Sequence, residues 1–302
     1  MPILSAARET PATTSSNRRP TTHDLQSSAA RRPTAAELKA QCLKPGSDLY
    51  GNWMARRIAR PLALRVTWLA VRLGLSANQV TLIALVVGCL AAAAMAAGTC
   101  QGLVGAAVLL QIWYLLDHVD GQLARYTGTA SLAGAFFDFV MHYVVHMALG
   151  FALGLGQFAR TGQPLWLPAG FTLGGALAML MLAHDCRYKA FFRRLKRERG
   201  VFRVEGGSGA RPEPPRRPPR RPAPLAWYLL QKFCEIHVIM NLLGAVAIVS
   251  LVRPSTALTA QAWLTAGWAI AVPLVAAVKV TRAITSRSID REFAAWFQPW
   301  DD

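Results

Sequence analysis

The chain has 302 residues, 53% of them hydrophobic, and a formal net charge of +17. Two soluble domains would fit that length, but apolar runs long enough to cross a bilayer place the chain in the integral membrane class. The basic residues fall in loops, which excludes a nucleic-acid-binding face, and Cys42, Cys89, Cys100, Cys186 and Cys234 form no CxxC pair, which argues against a zinc site or disulfide framework.

Residues 1–43 are rich in Ser, Thr, Pro, Ala and Arg and lack the apolar core of a secretory signal, so a disordered basic tail is expected. Residues 44–75 mix Leu, Val, Ile and Trp with Arg56, Arg57, Arg60, Arg65 and Arg72. That is the pattern of an amphipathic juxtamembrane helix on the membrane surface, and also of a soluble helix packed on a partner. Six apolar runs follow, at about 79–97, 102–125, 131–154, 165–187, 234–252 and 257–280, each near the length of a span. The expected fold is all-α, an integral membrane protein with six transmembrane helices in residues 76–285 and a C-terminal tail, 286–302.

Lys and Arg crowd the chain before residue 75, the linker 188–224 and the tail after Lys279, whereas the alternate loops hold only Arg160 and Arg253. The positive-inside rule therefore puts both termini in the cytoplasm, and the plasma (inner) membrane is the expected location. The Pro- and Arg-rich part of the linker reads as an extended solvated segment beside anionic headgroups.

The second run ends in Asp117, His118, Val119, Asp120, Gly121, Gln122, Leu123, Ala124 and Arg125, and the third opens with Gly134, Asp138 and His142. On helices, Asp117 and Asp120 share a face, and Gly134, Asp138 and His142 recur every four residues along one drifting face. Asp117 stands about 12 Å above Arg125, and Asp138 about 10 Å beyond Ser131, so antiparallel helices bring the carboxylates to one level. An intramembrane aspartate costs at least about 2.5 kcal/mol, and clustered anions repel unless a cation neutralises them. Hard carboxylate ligands suit Mg²⁺ or Mn²⁺ bridging to substrate phosphates. Gly121 and Ala124 leave room for a ligand against the helix, and Arg125 suits phosphate. Ion pairing between helices or a transport pathway is the alternative reading of such aspartates.

This pattern resembles the signature of the CDP-alcohol phosphotransferase family, Asp-x-x-Asp-Gly-x-x-Ala-Arg, eight residues, then Gly-x-x-x-Asp-x-x-x-Asp, with every fixed position but the last matched. Chance would produce such a match about once in 10⁸ to 10⁹ starting points. Lys44-Pro45, the Arg-rich helix, and Ser76 to Thr81 are similar to the family's lead into its first span, with Ala77 where Pro is common.

The resemblance implies that Asp117, Asp120 and Asp138 bind Mg²⁺ or Mn²⁺, and that Gly121, Ala124 and Arg125 lie along a cytidine nucleotide, with Gly134 letting the helices approach. An acceptor hydroxyl then attacks the β-phosphate of a CDP-linked donor, CDP-diacylglycerol by default, and CMP leaves, in phospholipid biosynthesis. Among relatives homodimers are common.

His142 stands where the family has its final aspartate, usually taken as the base. It permits three readings: general base, nitrogen ligand to a second metal favouring Mn²⁺ or Zn²⁺, or the mark of a membrane protein that binds or carries a phosphorylated ligand with little turnover. A further alternative is a surface scaffold whose basic tail and linker hold anionic lipid. His118, His146 and His184 read as hydrogen-bond partners of neighbouring helices. Asp185, Arg187, Glu235, His237 and Asn241 read as interhelical partners or interfacial anchors, with an acceptor pocket as the alternative.

Overall fold

The computed structural model describes residues 35–44, 51–197, 202–204 and 218–299. The first 34 residues of the expected tail and most of the Pro-rich linker lie outside these.

Within the tail, Ala35–Cys42 forms a helix (α1). Leu38 and Cys42, four residues apart, are both buried and give it one packed face. A π-helical turn, Ala55–Ala59, runs into α2, Arg60–Arg72. Small residues, Ala55, Ala59, Ala63, Thr67 and Ala70, form its buried side, while Leu62, Leu69 and Leu73 stay exposed. An apolar stripe left open beside arginines is how a helix sits in a headgroup layer.

The membrane helices follow: α3 Ala77–Ala96, α4 Cys100–Tyr126, α5 Leu132–Thr161 and α6 Trp166–Arg197. The first three start at side-chain caps. Ser76 and Gln79 form a reciprocal capping box, and Thr99 and Ser131 accept from the backbone N–H of Gly102 and Gly134. Beyond them come β1 Phe202–Val204, α7 Pro222–Phe233, α8 Ile236–Ser250, α9 Pro254–Thr285, α10 Ser288–Trp296 and β2 Phe297–Pro299. The two short strands pair antiparallel, the small exception to a helical chain.

Among the described residues five helices are long and apolar enough to cross a membrane by themselves, and α7 with α8, bent by 71° at their junction, brings the number to six if the pair is one broken span rather than a re-entrant loop. The fifth run, expected as one apolar span over 234–252, is thus bent and begins earlier. With 15 residues, α8 is about 22 Å long, short of a 30 Å hydrocarbon core. At the break the main chain stays paired: the N–H groups of Cys234 and Glu235 donate to the carbonyls of Leu230 and Lys232, and Trp268 Nε1 donates to the Phe233 carbonyl.

The main core lies among α3, α4, α5, α6, α8 and α9, around Trp113, Met141, Leu149, Leu173, Met240 and Trp268. Helices α5 and α6 approach closely. A Cβ added at Gly150 would come 2.4 Å from Gly174 Cα, so only glycine fits there. A smaller core of Ala63, Ala70, Val80, Val119 and Leu123 ties α2 to α3 and α4.

Candidate active site in the membrane domain

Gly128, at φ +67°, turns the chain back after α4, so the last turns of α4 lie beside the first turns of α5. The signature residues split by face. Gln122 points to the other side, accepting from Thr67 Oγ1 at 3.1 Å and donating to the Arg60 carbonyl at 3.2 Å, which locks α2 against α4. Asp120, Gly121, Ala124, Arg125, Gly134 and Asp138 line a first cavity of about 420 Å³, closed by Lys44, Asn78 and Ser131. Here Gly121 and Gly134 have distinct uses. An added Cβ at Gly121 would lie 3.2 Å from the Arg125 guanidinium, and one at Gly134 would lie 3.3 Å from Asn78 Oδ1. Arg125 is steadied by donating from Nε to the Cys42 carbonyl at 2.6 Å. Asp120 is buried, accepting from Thr81 Oγ1 at 2.8 Å and from its neighbour Gly121 N–H. Thr81 was not singled out as a site residue in the sequence. Its signals are its place at the end of the Ser76 to Thr81 lead and one turn beyond Ala77 and Asn78, on the face of α3 that meets α4.

Asp117, Asp138 and His142 meet on the other side of the carboxylate row. One oxygen of each aspartate and one imidazole nitrogen lie within 4.8 Å of one another. His142 Nδ1 is 2.9 Å from the Asp138 main-chain oxygen, which can only accept, so Nδ1 carries the proton. Nε2 therefore faces Asp117 Oδ1, at 3.0 Å. In a neutral ring that sets a lone pair against a carboxylate, an arrangement that calls for a cation shared between them, either a proton on Nε2 or a metal ion. Asp138 Oδ1 lies 3.3 Å from Nδ1, but the Nδ1 proton is committed to the main chain, leaving Oδ1 buried with no donor among the described residues. Two hard oxygens and an imidazole, one oxygen orphaned, fit a divalent ion of the Mg²⁺, Mn²⁺ or Zn²⁺ kind. Asp120 is outside this trio, in the first cavity, which Asp138 also lines.

Asp138 and His142 line a second cavity of about 530 Å³, whose far wall carries Asp185, Glu235, His237 and Lys279. His146 joins them. Expected as a partner of a neighbouring helix, it is 7% exposed, and its Nε2 has no hydrogen-bond partner among the described residues. Two i+4 steps rotate it about 80° from Asp138, yet the cavity is wide enough to include it. The buried Trp113 ring stands edge-on to both His142 and His146, with centroids 5.7 and 5.8 Å away.

The remaining polar residues divide. His118 Nδ1 lies 2.8 Å from the Tyr114 carbonyl. Asn241 accepts from Gln111 at 3.3 Å, an interhelical contact outside the cavity. Asp185 accepts from Tyr143 Oη at 2.9 Å, Glu235 pairs with Lys232 and with His237 at 2.8 and 3.1 Å, and Arg187 pairs with Glu292 at 2.9 Å.

No curated protein sequence matches the chain. The family model described as CDP-alcohol phosphatidyltransferase matches residues 75–194, a stretch that runs from the cap of α3 almost to the end of α6 and contains the whole carboxylate signature. Across that stretch, the chain is similar to the CDP-alcohol phosphatidyltransferase family.

Proposed function

We propose that the protein transfers a substituted phosphate group from a CDP-linked donor, CDP-diacylglycerol, to a hydroxyl acceptor with release of CMP, as a step of phospholipid synthesis on the cytoplasmic face of the inner membrane. The family supports transferase activity as such. The observation that carries the finer reading is the position of Asp138, on a wall common to the first and second cavities. A donor nucleotide in one and an acceptor in the other would meet at that residue.

In this reading Asp117, Asp120 and Asp138 would hold Mg²⁺ or Mn²⁺. Bound there, the metal supplies charge neutralisation for the phosphoryl oxygens. Gly121, Ala124 and Gly134 leave room for the nucleotide, and Arg125, oriented by the Cys42 carbonyl, directs its free guanidinium nitrogens to phosphate. The acceptor oxygen forms a bond to the β-phosphorus as the bond from that phosphorus to the bridging oxygen breaks, and CMP departs with the electron pair. His142 takes the acceptor's proton at Nε2. The Asp138 carbonyl fixes the tautomer through Nδ1, and Asp117 stabilises the imidazolium formed.

The 3.0 Å contact of His142 with Asp117 also favours a second reading, in which an imidazolium stands in for the cation and the protein binds a phosphorylated ligand without turnover. CMP release by the purified protein with CDP-diacylglycerol, a panel of alcohols and Mg²⁺ or Mn²⁺ separates the two. Metal- and acceptor-dependent CMP that disappears in Asp138→Asn supports the transferase. Metal-dependent nucleotide binding with no CMP from any acceptor replaces it with the binder.

A further inference from the structure

The second cavity does not end at its far wall. It adjoins a third, of about 540 Å³, with which it shares Leu180, His184, Gln231 and Lys279. The two differ in charge. Asp138, Asp185 and Glu235 line the second, and the latter two are already engaged by Tyr143 and by Lys232 with His237. No acidic residue is among those lining the third, which instead presents Arg187, Lys279 and Arg282.

Of these cations Arg187 is partly neutralised, by Glu292 at 2.9 Å. Lys279 and Arg282 have no carboxylate partner among the described residues, and Arg282 lies over the Trp227 ring at 5.1 Å. Three residues apart on α9, they are neighbours on one face. Two cations with no carboxylate partner among the described residues, next to a third and walled by tryptophan and aliphatic side chains, make a site suited to a phosphate anion. Lys279 also lines the cavity that holds Asp138 and His142.

We propose that the hydroxyl acceptor carries a phosphate monoester, whose anion is held by Lys279 and Arg282 in the third cavity while its hydroxyl lies across the second cavity at Asp138 and His142. This inference rests on the transferase reading and narrows it to polyol phosphates, against neutral polyols and amino alcohols. An anionic lipid headgroup offers the same chemistry, but it would not need a cavity that continues to the carboxylates.

The test uses the full chain in phosphatidylcholine nanodiscs with CDP-diacylglycerol and Mg²⁺, comparing glycerol 3-phosphate and inositol 1-phosphate with glycerol, inositol and serine. A phosphorylated acceptor is expected to exceed its dephosphorylated form at least about tenfold in kcat/KM. Lys279→Ala and Arg282→Ala should each raise acceptor KM about tenfold and leave the donor KM in place, with Lys279→Arg recovering most of the loss. Both side chains are exposed, so the variants are expected to fold. Equal use of neutral acceptors, or unchanged acceptor KM in both variants, overturns the inference while leaving the transferase intact. Should no acceptor yield CMP, the transferase reading fails and equilibrium binding of labelled glycerol 3-phosphate and inositol 1-phosphate decides instead. Saturable binding lost in the double variant supports the phosphate site, and absence of binding overturns it. Variants that lose only a stimulation by added phosphatidylglycerol would assign the cations to lipid and overturn it too.

Discussion

Helix α5 divides the site into flanks that hold charge in opposite ways. Toward α3 and α4, straight helices at regular spacing bring carboxylates, glycines and Arg125 around one cavity. Toward α7, α8 and α9, a bent pair and the end of a long helix supply Glu235, His237, Lys279 and Arg282 from places far apart in the chain. The first flank falls in the family match and the second lies largely beyond it. A reaction shared by a family needs one fixed flank. In the proposed transferase, the choice of acceptor would rest with the other.

The largest expected effect is at the residue between the flanks. His142→Ala should lower kcat by about 10² to 10⁴, the usual worth of a general base, with a much smaller change in donor KM. His142→Asp, which places the family's final aspartate there, should keep turnover, since a carboxylate can take the acceptor's proton in place of the imidazole. Steady-state CMP release measures both, and full activity in His142→Ala would sink the base assignment.

A smaller effect separates the flanks. Gly121→Val adds a branched side chain where even one Cβ comes within 3.2 Å of the Arg125 guanidinium, so the donor KM should rise about tenfold, as for a misplaced charged contact. Acceptor KM should hold. A change in acceptor KM alone would mean that the two cavities do not divide the substrates.

How much of this was legible in the sequence follows the same division. The spacing of Asp117, Asp120, Gly121, Ala124, Arg125, Gly134 and Asp138 is a helical code, so residues that share a face can be read directly, and the structure brings Asp117, Asp138 and His142 together. The second flank has no such code. Lys279 sits at the end of an apolar run, and its meaning depends on Asp185 and Glu235 being engaged by other partners, which no periodicity reveals. Hydropathy also marks where the bilayer ends rather than where a helix does. Thus α5 continues to Thr161 and α6 to Arg197, past the expected 154 and 187, and the break before α8 falls at Cys234 and Glu235, within what reads as the edge of one apolar run.

Next in size is a packing effect shared by both flanks. Gly150→Ala would drive a Cβ to 2.4 Å from Gly174 Cα, and backbone cannot yield as a side chain does. The helices must part, at a cost of about 1–3 kcal/mol. Thermal unfolding in detergent should show the loss. Because α5 and α6 both line the second cavity, acceptor KM should move more than donor KM, whereas equal movement would point to general loosening.

The smallest effect concerns the first flank's outer edge, where Cys42 reports on Arg125 without taking part in transfer. Its side chain is fully buried, and burial pushes the thiol up to about 11 against a lesser downward pull from Arg125. A raised thiol pKa means less thiolate at any lower pH, so at pH 8 only about one molecule in a thousand presents the nucleophile. Maleimide should therefore modify the exposed Cys186 well before Cys42, and labelling of Cys42 should accelerate as pH approaches 11. Arg125→Ala removes the hydrogen bond to the Cys42 carbonyl and should free α1, so that Cys42 labels faster through exposure. If the donor phosphate engages the terminal nitrogens of Arg125 while Nε keeps its bond to Cys42, adding CDP-diacylglycerol should slow that labelling further. Faster labelling on adding donor would show instead that Arg125 leaves Cys42 to reach the nucleotide, and that α1 moves with each binding event.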